Sequence, residues 1–255
     1  MATSSFFEQL FKWVFIVSAL LTVLLYFKKD HLPEPNFYDL GYLEEPAQAK
    51  IKAEPFKSRV NDQEYTITPL YDYELHGVVV SYSDADAFTN IWHHKRWHDF
   101  INLRDLCVIW GKNVGSGVYR QMKFHNDSWT CWASWQDYET GALFKMNALS
   151  NNHLLTNDDR IKKALMSAEP GDHIRFKGVL AEYANKSNNF FRGTSITRDD
   201  TGNGACETVY LEEFEIVKKA NRGIRKLYGL TKWLAIVSFF SFLIFFAIAP
   251  VRIRH

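Results

Sequence analysis

Two uncharged apolar runs stand near the ends of the chain, and between them apolar and polar positions alternate in short stretches. The first run, Trp13 to Phe27 (WVFIVSALLTVLLYF), is flanked by Lys12, Lys28 and Lys29. Long basic side chains of this kind snorkel to lipid headgroups, so the run predicts a short spanning helix. A secretory signal peptide is the rival reading. The following KKDHLPEP offers no small-x-small cleavage site, which favours an uncleaved anchor. The second run, Trp233 to Val251 (WLAIVSFFSFLIFFAIAPV), is uncharged over about the length that crosses ~30 Å of hydrocarbon at ~1.5 Å per residue. Trp233 at one boundary and Arg252 and Arg254 at the other are the flanks expected at membrane interfaces.

Between the anchors, residues 28–63 hold Pro33, Pro35, Pro46 and Pro55 without a sustained period and read as an extended arm. Strand texture begins at Glu64 with EYTITPL and DYELHGVVVSY, and returns in DLCVIWG, GVYRQMKF, SWTCWASW, DHIRFKGVLAEYA and CETVYLEEFEIV. Gly178 is the expected bulge of the long strand that contains it. Two helices are predicted, over Asp84–Ile101 and, capped by Asn157, over Asp158–Ala168. The boundaries that follow are tails at 1–12 and 252–255, spans at 13–27 and 233–251, a soluble domain at 64–217 and a basic juxtamembrane helix at 218–232. Because no strand-helix unit repeats, the fold class expected is α+β, mainly β: an antiparallel small barrel or sandwich, the barrel preferred, with one or two helices, flanked by two transmembrane helices.

The charge balance, 30 Lys and Arg against 29 Asp and Glu, gives no long-range field to recruit nucleic acid. A mean hydropathy of −0.24 despite two intensely apolar runs requires a solvated middle, which argues against a polytopic membrane protein. Sidedness divides the charges. Lys28, Lys29, Lys218, Lys219, Arg222, Arg225, Lys226 and Lys232 lie on the domain side and by count favour a cytoplasmic domain. The rule is weak for long translocated domains, and both tails are basic at their membrane edge, so the expectation is a two-pass inner-membrane protein with a periplasmic domain; a cytoplasmic domain stays open as the alternative.

The run PGDHIRFKGVLAEY with the later YLEEFEIV resembles strands of OB-type barrels, in which a Gly-Asp turn precedes a long bent strand. DLCVIWGKNVGSGVY, ALSNNHLL, PGDHIRFKG and DTGNGACETVY together resemble a group of bacterial membrane-anchored proteins without an assigned activity. The first resemblance implies an OB-like domain. The second implies one coherent domain and carries no catalytic residues with it.

Candidate chemistry is sparse. In WHHKRWHDF, His94 and His98 stand one helical turn apart and would present two imidazoles to one metal, with Asp99 or His125 completing the set. The motif lacks the HExxH glutamate, and a solvated helix face explains it equally. Cys107, Cys131 and Cys206 match no CxxC pair; Cys107 and Cys131 fall in strands expected to be adjacent, so they form one bridge in an oxidising compartment or remain thiols in a reducing one. WGKNVGSGVY lacks the order of a phosphate loop and reads as a turn. The polar loop from Arg192 to Gly204, with Arg192 and Arg198, is a candidate ligand loop. Alternation puts Trp129 and Trp135 on one strand face and Trp132 on the other, so at least one is expected at the surface, where an aromatic patch suits a partner, peptide or glycan. Asn126 and Asn185 fit glycosylation sequons, and the basic stretch before the second anchor would attract anionic lipid if cytoplasmic.

These features favour a non-enzymatic binding or assembly module at a membrane surface, recognising a protein, peptide or envelope component without a cofactor. The ligand residues expected are Arg192, Arg198, Trp129, Trp132 and Trp135. The alternative is a metal-dependent hydrolase using His94 and His98.

Overall fold

The computed structural model describes residues 2–85, 97–127, 129–200 and 205–248. By internal contacts the chain divides into two units, the terminal segments through His31 and from Asn221, and the intervening Leu32–Ala220.

The terminal unit consists of two helices, α1 (Ala2–Tyr26) and a long C-terminal one (Arg222–Ile248), each long and apolar enough to cross a membrane. Phe7 and Phe11 stack on Phe245 at 5.3 and 5.5 Å, and Phe15 meets Phe239 at 5.3 Å. Ser18 and Ser238, both buried between the helices, donate to the carbonyls of Val14 and Leu234 four residues back. Those hydroxyls therefore need no water. The remaining apolar surface is largely exposed. Two boundaries shift from the sequence reading: α1 takes in the segment read as a tail, and the basic residues from Arg222 belong to the same continuous helix as the second apolar run.

In the other unit, two short turns (Pro35–Phe37 and Leu40–Tyr42) lead to β1 (Ala47–Lys50), β2 (Phe56–Val60), β3 (Gln63–Ser83) and β4 (Asn102–Ile109). There follow α2 (Gly111–Gly115), β5 (Lys123–Asn126), β6 (Cys131–Ser134), α3 (Tyr138–Leu143), β7 (Leu149–Leu155), α4 (Asp159–Leu165), β8 (His173–Asn185), β9 (Phe190–Arg192) and β10 (Glu207–Lys218). The C-terminal helix is α5.

The sheet is mixed, where the sequence pattern predicts antiparallel pairing. β7 and β10 run parallel, and the connection between them, through α4, β8 and β9, supplies the long crossover that parallel pairing needs. Following the hydrogen bonds, five strands return on themselves in the order β3-β4-β7-β10-β8-β3, a ring that is not a true barrel. β1, β2 and β9 extend it, and β5 with β6 forms a separate hairpin.

β3, at 21 residues, is too long to stay straight at ~3.3 Å per residue and must bend round the ring. Gly77 permits part of this: a Cβ there would run into Val108 on β4. Gly178 plays a matching part on β8, though not as the bulge expected of it. The extra residue is Glu212, on the partner strand β10, and a Cβ on Gly178 would collide with the Tyr210 carbonyl. Glycine is thus required for close approach, not for a left-handed backbone.

β4 is buried along its whole length because it separates two cores. Leu106 and Val108 join Tyr73, Phe176, Leu180 and Leu165 of α4 on one side, while Cys107 and Ile109 join Val78, Val80 and Tyr119 on the other. Tyr38 and Leu43 enter the second core, and β1 and β2 pair with β3. The stretch read as an extended arm is therefore built into the fold. Two further differences are local. Part of GVYRQMKF forms a 3-10 turn (Val118–Gln121), and α4 is capped by Asp158, whose carboxylate accepts from the amides of Arg160 and Ile161, in place of Asn157.

Candidate functional site

β7 places Asn151 and His153 on one sheet face, since residues two apart in a strand point the same way. Register sets Cys107 of β4 opposite Asn151, and Asp105 opposite His153. Ser81 of β3 lies opposite Cys107, and Thr208 of β10 lies opposite His153. Four neighbouring strands thus contribute a polar face, and the turn between β5 and β6 docks on it.

Three attachments hold that hairpin. Cys131 is joined by a disulfide to Cys107, with Cα atoms 5.6 Å apart, so the bridge links the hairpin to the main sheet and not two adjacent strands of one sheet. Asn126 accepts from Ser81 Oγ at 2.5 Å and donates to Asn151 Oδ1 at 2.8 Å. The Trp129 carbonyl accepts from Asn151 Nδ2 at 3.0 Å and from Cys206 Sγ at 3.6 Å.

The Trp129 ring is half-buried beneath Arg192, whose guanidinium carbon stands 4.3 Å from the ring centre, and meets Trp97 edge-on at 4.8 Å. Arg192 Nη2 also lies 2.5 Å from His153 Nε2. A guanidinium only donates, so Nε2 accepts and the ring proton sits on Nδ1, 2.7 Å from Asp105 Oδ1. Burial, with the Arg192 charge adding to it, lowers the His153 pKa against the pull of Asp105 and keeps the ring neutral. The Asp105–His153 pair has the form of the orienting half of a nucleophilic triad. However, the nitrogen that would take a nucleophile's proton is occupied by Arg192, and burial pushes the nearby Cys206 thiol up. The arrangement fixes the Trp129 turn and leaves no free base.

Two exposed indoles lie beyond the clamp, one on β6 and one just past its end. Trp132 is 50% exposed and Trp135 43%. Trp132 Nε1 donates to Asp127 Oδ2 at 2.8 Å and its ring stacks with His125 at 6.2 Å, 16° from parallel. Asp127 also accepts from the amides of Trp129 and Thr130; despite some burial, these bonds hold its carboxyl below the usual range. The Trp135 indole lies directly over Gly141 of α3, where a Cβ would collide with it. Both exposed indoles are thus held in position by a specific neighbour.

The expected ligand residues therefore separate. Trp132 and Trp135 are exposed, Trp129 and Arg192 belong to the clamp, and Arg198 pairs with the buried Glu207 while donating to Gln48 Oε1 at 2.9 Å. His94 lies outside the described residues, as does most of the helix read over Asp84–Ile101. From Trp97 to Ile101 the backbone is not helical, and His98 has φ +50°, so the helical spacing assumed for the two imidazoles does not hold at that end. The His98 carbonyl accepts from Tyr65 Oη at 2.5 Å. Asp99 is buried and accepts from Tyr183 Oη at 2.7 Å; burial raises its carboxyl to about 6 against that bond. Among the described residues no three His, Cys, Asp or Glu side chains form a metal-binding group. Neither sequon asparagine is free: Asn126 bridges Ser81 and Asn151, and Asn185 is buried against Gln63.

No family model, curated protein or solved structure matches this chain.

Proposed function

We propose that the chain is a membrane-anchored, non-catalytic recognition or assembly module whose contact surface is the outward face of the β5–β6 hairpin. The observation that carries this reading is the pair of exposed indoles, Trp132 and Trp135, each held by a specific neighbour. Preorganised aromatic side chains lose little entropy on binding and dominate many interfaces. A protein, peptide or envelope component is the partner class they suit.

The remaining features fit this reading. The exposed apolar surfaces of α1 and α5 serve as two spans of an inner membrane, so that the intervening unit stands on one side of it. The Cys107–Cys131 bridge favours the oxidising, periplasmic side. The ring order, with a parallel pair and with α4 inserted between its third and fourth strands, supports a relative of the OB barrel, a fold that presents such surfaces to polymeric ligands. The hydrolase reading gains nothing from His98 as it stands.

The test is a photoreactive phenylalanine derivative installed at Trp132 in intact cells. One discrete adduct, lost when Trp135→Ala is combined with it, is the expected result. No adduct from a normally accumulated protein rejects the surface. With the partner in hand, Trp132→Ala should weaken binding by about 30-fold, the ~2 kcal/mol typical of a central aromatic anchor.

A further inference from the structure

A cleft lined by none of the hairpin residues opens where β3 changes partners. β2 pairs with residues 63–67 of β3, and β1 with residues 71–74. Between them Pro69 has no amide to donate, the register to β8 slips between Pro69 and Tyr71, and the Leu70 carbonyl accepts from Ile51 N at 3.2 Å. Across the cleft β10 has its own extra residue, Glu212. The space enclosed is about 320 Å³. Its floor is apolar: Phe56 meets Tyr210 edge-on at 5.0 Å, with Pro69 and Val179 beside them. Its rim is acidic: Glu54, Asp72 and Glu212 are exposed, and among the described residues no lysine or arginine lines the cleft. None of the three carboxylates makes an ion pair with a described residue.

Glu212 also lines a neighbouring cleft of about 370 Å³. The cations there are already matched, Arg160 by Asp158 and Arg175 by Glu74 and Glu213. Acidity is therefore unmatched on the Phe56 side and continues past Glu212.

We propose that the Phe56–Tyr210 cleft binds an arginine side chain from an extended, basic segment of a partner protein. The aliphatic stem lies on the aromatic floor and the charged head reaches the rim carboxylates, a combination that uses hydrocarbon contact, cation–π attraction and charge together. The cleft accommodates one such side chain. A guanidinium also stacks flat on aromatic rings such as Phe56 and Tyr210, which the ammonium groups of a polyamine do not.

The experiment uses the full chain in nanodiscs of zwitterionic lipid and a fluorescein-labelled Gly-Ala-Arg-Ala-Arg-Gly peptide, followed by anisotropy. Saturable binding is expected, with the citrulline version of the peptide bound at least tenfold more weakly. Glu212→Gln combined with Asp72→Asn, both exposed isosteric changes, should weaken binding about tenfold, the product of two surface charge contacts. Phe56→Ala should weaken it as well, while Glu139→Gln, an exposed carboxylate on α3, should leave it unchanged. The proposal is overturned by no saturable binding, by equal affinity for the citrulline peptide, or by an equal effect of Glu139→Gln, which would mean diffuse attraction. Spermidine bound as tightly as the peptide overturns the peptide assignment in favour of a polyamine site.

Discussion

His173 gives the sharpest quantitative prediction. It opens β8 with its side chain 1% exposed, between the rings of Tyr38 and His76 at 6.4 and 6.2 Å, and its Nε2 is buried without a hydrogen-bond partner. Burial lowers its pKa from 6.5 to about 4; the charges of His76 and Lys218 act in the same direction and Asp39 opposes them. A histidine depressed in the folded state leaves the unfolded chain with more bound protons between those two values. Stability is therefore present above pH 6.5 and lost as pH falls toward 4, by ~3 kcal/mol in all.

Asp99 works in the opposite sense over nearly the same window. Its carboxyl rises from 3.8 to about 6, so its contribution is present below 3.8 and lost as pH rises through 6, again by ~3 kcal/mol. In the native chain the two slopes largely cancel. His173→Gln removes one of them. The difference in stability between variant and native protein should then move by ~3 kcal/mol in favour of the variant as pH falls from 7 to 4, on top of a constant offset from the substitution itself. For a unit of this size that is a change of about 6–12 °C in the difference between melting temperatures. Near-UV circular dichroism melts of both proteins in the same nanodiscs measure it, and carboxylates common to the two cancel in the subtraction. A melting difference that stays flat across the window would show that His173 is not buried as a neutral ring.

Other expectations are simpler. Tyr183→Phe removes the bond donated to Asp99, costs ~1–2 kcal/mol, and lifts the Asp99 transition further above 6, visible as a pH window displaced upward in the same melts. Reducing the Cys107–Cys131 bridge, or replacing both residues by alanine, opens a link spanning 24 residues of sequence and should cost ~3 kcal/mol; the double variant should be insensitive to reductant. Gly178→Ala forces a Cβ into the Tyr210 carbonyl and should lower thermal stability more than Gly193→Ala, where a Cβ meets nothing within 4 Å.

The terminal helices and the long strands were legible because their signals are local: uninterrupted apolar runs and β-branched alternation. The ring closure was not, since pairing of β7 with β10 joins residues some fifty positions apart and leaves no periodic trace. β7 itself escaped for a different reason. Its Ser150, Asn151, Asn152 and His153 are all buried, so a core strand carries the composition of a loop. The polar face that clamps the hairpin stayed hidden with it, and Arg192 looked like a ligand residue because nothing local announces His153 and Trp129 as its partners. The exposed tryptophans were visible as residues, but alternation misjudged their setting: β6 ends at Ser134, so Trp135 takes its orientation from Gly141 and not from the strand.

On the proposed reading, the clamp also makes the surface around Trp132 depend on redox state. Asn126, Trp129 and Cys131 all face the main sheet, and each attachment lies within six residues of Trp132. Two of the three are noncovalent and depend on a short two-stranded hairpin, a structure of marginal stability alone in water. The disulfide is the attachment that a reducing compartment would remove. Losing it leaves Trp132 with its Asp127 bond and His125 stack, both internal to the hairpin, while the hairpin's own position relaxes. On the proposed reading, partner affinity should then fall on reduction even where the core stays folded, because Trp132 moves with the hairpin while Trp135 stays packed over Gly141 of α3. Such a surface therefore works, on that reading, where the bridge stays oxidised.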